Sequence, residues 1–206
     1  MTDMYIAIID YNMGNIKSVE NAFKRIGADV KVTDKPQVIG GAKAVVLPGV
    51  GAFRDAIGNL KRLGLYECVI DTVKQDKPFL GICIGLQVLF EYSMEGGKSQ
   101  GLSIFKGSVE KIPDGVKIPH MGWNKIGIIK KDSRLFKGIK NGESFYFVHS
   151  YHAVCADREI ISSTTDYGTD IVSSIEKGNA YALQFHPEKS STFGLQILKN
   201  FMEIAK

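Results

Sequence analysis

Cysteine, proline and tryptophan are scarce in this chain of 206 residues, which holds three, six and one of them. Cys68, Cys83 and Cys155 are odd in number and far apart, with no Cys-x-x-Cys pair, which argues against a disulfide framework and against a zinc site. Any cysteine that matters here acts alone. Long apolar runs are missing as well. The most apolar stretch, Phe79 to Phe90, is interrupted by Gln87 and falls well short of the roughly 20 residues that span a bilayer. The opening segment, Met1 to Asp10, has no basic region and meets an aspartate early, so no signal peptide is read there and a cytoplasmic protein is expected. Charge of one sign is never concentrated: 26 Lys+Arg and 22 Asp+Glu, net +4, are spread along the chain without interleaved aromatics. That gives no case for nucleic-acid binding. Linkers, repeats and low-complexity tracts are also lacking, and a single domain over residues 1–206 is expected.

What is present has the balance of a globular protein, 44% hydrophobic and 23% charged, and only glycine is abundant, at 22. The β-branched run Met4 to Ile9 is followed by the turn signal Asn12-Met13-Gly14-Asn15. Ile16, Val19, Phe23 and Ile26 then recur at helical spacing up to Gly27. Val30 and Val32 alternate with polar residues, Ala44 to Leu47 is a buried run broken by Pro48-Gly49-Val50-Gly51, and Phe53, Ile57 and Leu60 share a helix face. A helix over Leu65 to Gln75 leads into the run Pro78 to Ile82, with Leu86, Leu89 and Phe90 beyond Cys83. Strand and helix are thus expected to alternate through the first 92 residues. From about Gly101 the pattern turns to short strands: Ser108 to Ile112, Ile126 to Lys130, Phe145 to Val148, Ile160 to Thr165, Ile171 to Ile175 and Tyr181 to Phe185. A last helix carries Phe193, Ile197, Phe201 and Ile204. The expected fold is α/β, a doubly wound and mostly parallel sheet flanked by helices, with additional antiparallel strands.

In such sheets the ligand crevice lies at the carboxyl ends of the strands. Cys83 stands at that place, in Gly81-Ile82-Cys83-Ile84-Gly85, the cysteine counterpart of a Gly-x-Ser-x-Gly nucleophile elbow. The glycines permit a tight strand-to-helix turn, and a helix N-terminus favours the thiolate. The ordinary fate of a free cysteine is to be a small buried hydrophobe, so a catalytic partner has to decide. His186 and Glu188 supply one at the end of the last strand: residues i and i+2 point the same way, so Glu188 can orient the imidazole. The ordinary alternative is a loop histidine beside a solvated glutamate. Pro48-Gly49-Val50-Gly51 follows another buried strand, and a backbone N–H from Val50 or Gly51 together with that of Ile84 forms a candidate oxyanion hole. The Val50 peptide, flanked by glycines, is expected to point its N–H away until it is turned. Gly96-Gly97-Lys98-Ser99 is not read as a phosphate loop, since Tyr92 stands where the opening glycine is needed.

These pieces together resemble the class I (triad) glutamine amidotransferases, over nearly the whole chain from Ile8 to the last helix. The elbow Gly81 to Gln87 and Gln184-Phe185-His186-Pro187-Glu188-Lys189 are marks of the whole class. Pro48-Gly49-Val50-Gly51 and His120-Met121-Gly122-Trp123-Asn124 are marks of the branch serving histidine biosynthesis, and Tyr146-Phe147-Val148-His149-Ser150-Tyr151 also belongs to the resemblance. The chain departs from the usual pattern in reading Cys-Ile-Gly-Leu at the elbow and in placing His152 after Tyr151. The resemblance implies hydrolysis of L-glutamine to glutamate and ammonia by Cys83, His186 and Glu188, with no metal and no organic cofactor. It also implies substrate contacts from Gln87, Glu95 and the backbone around His149, Ser150 and Tyr151, with Gly51 near the oxyanion. Glu95 is equally readable as a solvated turn residue. The implied partner is a (β/α)8-barrel cyclase subunit in a heterodimer, docked on Asn12, Asn15, Met121, Trp123, Tyr146 and Lys189. Trp123 reads as an aromatic anchor in a glycine-flanked loop or as a core residue. The rivals are a paralogue supplying ammonia to another acceptor synthase, as in sugar amination; a cysteine peptidase or γ-glutamyl hydrolase of the same fold; and a nucleotide-binding module.

Overall fold

A computed structural model describes residues 5–206; Met4, the head of the first expected strand, lies outside the described residues. Strand β1 (Ile6–Ile9) is buried along its whole length, and helix α1 (Ile16–Arg25) follows it. Asn15 opens that helix by accepting from the Ser18 N–H; Val19, Ala22 and Phe23 face inward, and Lys24 and Arg25 suit the C-terminal end of the helix dipole. Next come β2 (Val30–Thr33), a short helix α2 (Pro36–Gly41), β3 (Ala44–Leu47), α3 (Phe53–Arg62), α4 (Tyr66–Lys74) and β4 (Phe79–Ile82). The second half is richer in strands. It holds the one-turn helix α5 (Ile84–Gln87), β5 (Phe90–Ser93), β6 (Ser99–Gln100), β7 (Phe105–Lys111), β8 (His120–Lys125), β9 (Gly127–Ile128), β10 (Ser144–His149) and β11 (Tyr151–Cys155). Strands β12 (Ile161–Asp166), β13 (Asp170–Lys177) and β14 (Ala180–Leu183) and helix α6 (Ser191–Ile204) complete it.

The main sheet has eight strands in the order β2-β1-β3-β4-β14-β13-β12-β9. Pairing is parallel from β2 across to β14 and antiparallel beyond it. Alternation along the strands sends Ala7, Ile9, Val45 and Leu47 into a core shared with α3 and α4. Ile6, Ile8, Val46, Leu80 and Ile82 enter the opposite core with α1 and α6, where Phe23 meets Phe201 edge-on at 6.4 Å. The expected doubly wound arrangement is what the chain adopts. A four-stranded sheet (β11-β7-β5-β6) and the antiparallel pair β8–β10 are hydrogen-bonded separately from it.

Several elements differ from the sequence expectation. Helix α2 is hidden by its composition, Pro36 to Gly41, which ends in two glycines. The stretch after Cys83 turns only once as helix before Phe90 begins a strand, because Val88 and Leu89 are buried on a path that pairs β5 with β7. Trp123 is in strand β8, not a loop, and Gly122 beside it adopts φ +134°. Strand β11 was not anticipated, since His152 interrupts its apolar pattern.

Three strand ends converge at the carboxyl edge, where Leu47 lies level with Gly81 and Leu183 with Ile82. The turn after β4 is packed tightly enough to dictate its glycines: a Cβ at Gly85 would fall 1.9 Å from the Leu47 carbonyl oxygen, and one at Gly81 would fall 2.5 Å from that of Gly85. Both obstacles are backbone. Gly85→Ala is therefore expected to destabilise the protein by about 3 kcal/mol or more, the upper range of overpacking, while Gly58→Ala, which meets nothing within 4 Å, stays within about 1 kcal/mol of wild type or gains stability. Urea denaturation of both variants checks this, and equal midpoints would refute it.

Candidate active site

Cys83 occupies a left-handed, strained conformation, φ 55° and ψ −106°, between β4 and α5. Its N–H donates to the Leu183 carbonyl at 2.7 Å, and its carbonyl accepts from Leu86 (2.9 Å) and Gln87 (3.2 Å). The side chain borders a cavity of about 400 Å³, within the usual range for small ligands. Sharing that cavity are Val50, Gly51, Ile84, Gln87, Glu95, His149, Ser150, Tyr151 and Lys189, together with Pro119 and Val148.

His186, 2% exposed, faces Cys83 and Glu188 where β14 runs into a 3-10 turn over Pro187–Lys189. Its Nδ1–H donates to Glu188 Oε1 at 2.8 Å, with both side chains buried. That bond leaves Nε2 for Cys83; Nε2 makes no aligned hydrogen bond, a common looseness in unliganded sites. Burial alone would lower the imidazole pKa, but Cys83 and then Glu188 outweigh it and raise it to about 9. The turn is pinned from outside by Ser190, whose hydroxyl donates to the His186 carbonyl (2.6 Å) and accepts from the Tyr146 N–H (2.9 Å).

The candidate oxyanion donors, Ile84 and Val50, do not point to a common position. The Ile84 N–H donates to the Gly49 carbonyl at 3.4 Å, a long and weak bond. In a trans peptide the Val50 N–H must then face the other way, toward the Gly14 loop, where a Cβ added to Gly14 would come within 3.3 Å of it. Gln87 uses its Nε2 protons internally, donating to the Tyr151 carbonyl (2.9 Å) and to Gln184 Oε1 (3.1 Å), so what it has left for a ligand is an acceptor oxygen. Glu95 is less free than a solvated turn residue: its Oε2 accepts from the Phe53 N–H at 2.7 Å, capping α3, and the residue still borders the cavity.

Met121 and Trp123 are 62% and 55% exposed, so Trp123 is not a core residue. Its ring meets Tyr146 edge-on at 6.2 Å, and the Lys189 ammonium sits 5.7 Å from the Tyr146 ring. These residues form one surface next to the cavity mouth. Asn12 is exposed at φ 61°, and Asn15 is engaged as the α1 cap.

Three residues near the site had no role in the sequence reading. Gln184 is fully buried with Nε2 3.7 Å from Cys83 Sγ. Tyr11 is fully buried with no partner for its hydroxyl, and burial, then the charge of Cys83, push its pKa up. His120 donates from Nδ1 to His149 Nε2 at 2.9 Å, and His149 Nδ1–H donates to the Tyr151 carbonyl at 2.9 Å. A polar residue just past a strand that ends in a candidate base was the signal for Gln184. For Tyr11 and His120 there was none short of the fold.

A class-I glutamine amidotransferase sequence model matches residues 7–205, and the chain belongs to that family. It is 49% identical over 201 residues to the imidazole glycerol phosphate synthase subunit HisH of Moorella thermoacetica, covering 98% of this chain and 95% of that one. It is 50% identical over 201 residues to the protein of the same name from Methanothermobacter thermautotrophicus, covering 98% and 99%. In fold it is similar to PurLQS from Thermotoga maritima, with TM-score 0.78, 16% identity and coverage of 98% and 99%. The glutaminase domain of Trypanosoma brucei CTPS gives TM-score 0.72 at 18% identity, covering 98% and 93%. Among the described residues no helix is long and apolar enough to cross a membrane.

Burial holds His120 and His149 neutral, with pKa values lowered to about 4 and about 3. The unfolded chain, with histidines near 6.5, takes up protons first as pH falls. Their contribution to stability is whole above about pH 6.5 and is lost toward pH 4 and below. Thermal unfolding from about pH 7.5 to about 4.5 is expected to show a steeper fall in Tm for wild type than for His120→Asn, and parallel curves would count against it.

Proposed function

We propose that Cys83, His186 and Glu188 form the nucleophile, proton carrier and orienter of an L-glutamine hydrolase; the observation that carries this is a strained, cavity-facing cysteine beside a buried His186–Glu188 pair held at 2.8 Å. The chain is an enzyme, the glutaminase subunit of imidazole glycerol phosphate synthase in histidine biosynthesis, as its half-identical relatives over nearly the whole chain indicate. The match over residues 7–205 supports reading one amidotransferase domain.

The thiolate attacks the side-chain carbonyl carbon of glutamine, forming the C–S bond and moving the carbonyl electrons onto oxygen. As that oxyanion collapses the C–N bond breaks, and His186 gives its proton to the departing nitrogen, releasing ammonia. His186, now neutral, takes a proton from water, which attacks the thioester; the C–S bond breaks, glutamate leaves and the thiolate returns. Gln87 Oε1 and the second oxygen of Glu95 are the acceptors available for the substrate ammonium, and His149, Ser150 and Tyr151 line the same cavity. No step calls on a metal or an organic cofactor.

A subunit of a synthase has a partner cyclase subunit. Its form as a (β/α)8 barrel in a heterodimer follows from the family resemblance, and the surface of Met121, Trp123, Tyr146 and Lys189 supports docking there, with Asn12 and Asn15 on the neighbouring loop. An aromatic, partly apolar and cationic surface suits an interface with an acidic rim. Docking is the event that turns the Gly49–Val50 peptide. The turn frees the Ile84 N–H from its 3.4 Å bond and brings the Val50 N–H to the oxyanion, worth about a hundredfold in rate.

Cys83→Ala is expected to abolish glutamine-dependent synthesis while ammonia-dependent synthesis by the complex survives; retained glutaminase activity would end the assignment. His186→Ala should be nearly as damaging and Glu188→Ala less so. Assayed alone, the chain should hydrolyse glutamine at least about a hundredfold more slowly than with its ligand-loaded partner. Trp123→Ala and Lys189→Ala should lower that stimulation and partner affinity more than Tm, and the reverse ordering would remove both from the interface.

A further inference from the structure

Gln184 lies one residue past β14, and the parallel register sets it beside Cys83: Leu183 is level with Ile82, so the next residue of each strand leaves the sheet at the same height. Its side chain is fully buried, with Nε2 3.7 Å from Cys83 Sγ and Oε1 3.1 Å from Gln87 Nε2. A buried amide of this kind is placed for its hydrogen bonds, since leaving them unmade is costly.

The orientation of that amide is fixed from its far end. The Tyr151 carbonyl can only accept, so Gln87 must present Nε2 to it, and the same NH2 group presents its second proton to Gln184. Gln184 meets it with Oε1. Reversing the amide would set two NH2 groups against each other at 3.1 Å and leave an acceptor facing the sulfur. The chain Tyr151 O, Gln87, Gln184, Cys83 Sγ therefore runs in one direction and ends with an N–H aimed at the nucleophile.

An anionic sulfur needs donors, and the surroundings offer few. Helix α5 is a single turn, Ile84–Gln87, so its dipole is small, the Ile84 N–H is bonded to Gly49, and His186 Nε2 makes no aligned bond. We propose that Gln184 is a further catalytic residue, whose side-chain amide donates to the Cys83 thiolate and holds the sulfur in its attacking position, itself held by Gln87. The proposal rests on Cys83 as nucleophile. The donor acts twice: it favours the ionised sulfur before the C–S bond forms, and it receives the thiolate when water breaks the thioester. Because Gln87 also borders the cavity, a substrate held by Gln87 tightens the clamp on the sulfur.

The test compares wild type with Gln184→Met, which keeps the length of the side chain and removes the donor. Iodoacetamide alkylation at neutral pH is followed by mass spectrometry at Cys83, with Cys68 and Cys155 as internal references, beside glutaminase kinetics in the partner complex and Tm. Alkylation of Cys83 and kcat are each expected to fall about tenfold with KM within about twofold, the loss of one hydrogen bond to a charged group. If Gln184→Met does not fold, Gln184→Glu replaces it and should slow alkylation more strongly, as an acceptor then faces the sulfur. Unchanged alkylation and kcat in a folded variant, or a change confined to Tm or KM, would overturn the proposal. A glutaminase-active Cys83→Ala variant would instead overturn the nucleophile assignment beneath it.

Discussion

The backbone of Cys83 is the constraint on which the site depends. A non-glycine residue at φ 55° and ψ −106° costs on the order of 1–3 kcal/mol and persists only where its surroundings over-determine it. Here they do. Its N–H is tied to β14, its carbonyl closes the one turn of α5, and the glycines on either side let that turn press against the end of β3 and against β4 itself. Relaxing the strain would mean unpairing strands at the centre of the sheet. The sulfur therefore faces the cavity because the sheet, rather than the loop, holds it there.

Histidines within one small region are driven in opposite directions by what faces them. His120 and His149 meet each other and a carbonyl, an arrangement that needs only neutral rings, and burial lowers both pKa values. His186 is as deeply buried but faces Cys83 and Glu188, and its pKa rises to about 9. Burial sets the scale of the shift, and the neighbours set its sign. This separation keeps the positive charge on the ring that shares the site with the sulfur.

Much of this was legible before the fold. Helix α1 and strands β3 and β4 carry strong periodicity with glycine or proline at their ends, and the elbow, His186 and Glu188 stand at strand ends, where chemistry collects. What escaped depended on partners distant in sequence. Helix α2 has too few apolar residues to announce itself, β8 and β11 become strands by pairing with β10 and β7, and Phe90 leaves the helical pattern because β7 is there to receive it. Gln184 was visible as a letter in a motif, but its reach to the sulfur exists only through the register of two strands. The direction of the Gly49–Val50 peptide, set by the ψ of one residue and the φ of the next, is a matter on which composition is silent.

Strand β14 is the last strand in the chain yet sits in the middle of the main sheet, between β4 and β13. The proposed nucleophile is thus translated roughly a hundred residues before its proposed base, an interval of about 5–20 s at ordinary synthesis rates of ~5–20 residues per second. For all that time β4 lacks one neighbour, and Cys83 has neither the strand that strains it nor the imidazole that faces it. On the proposed triad, hydrolytic competence is among the final properties the growing polypeptide acquires. With that triad, a chain stalled or clipped before Ala180 lacks both His186 and Glu188, so strand order adds a second safeguard against idle hydrolysis to the one that docking provides.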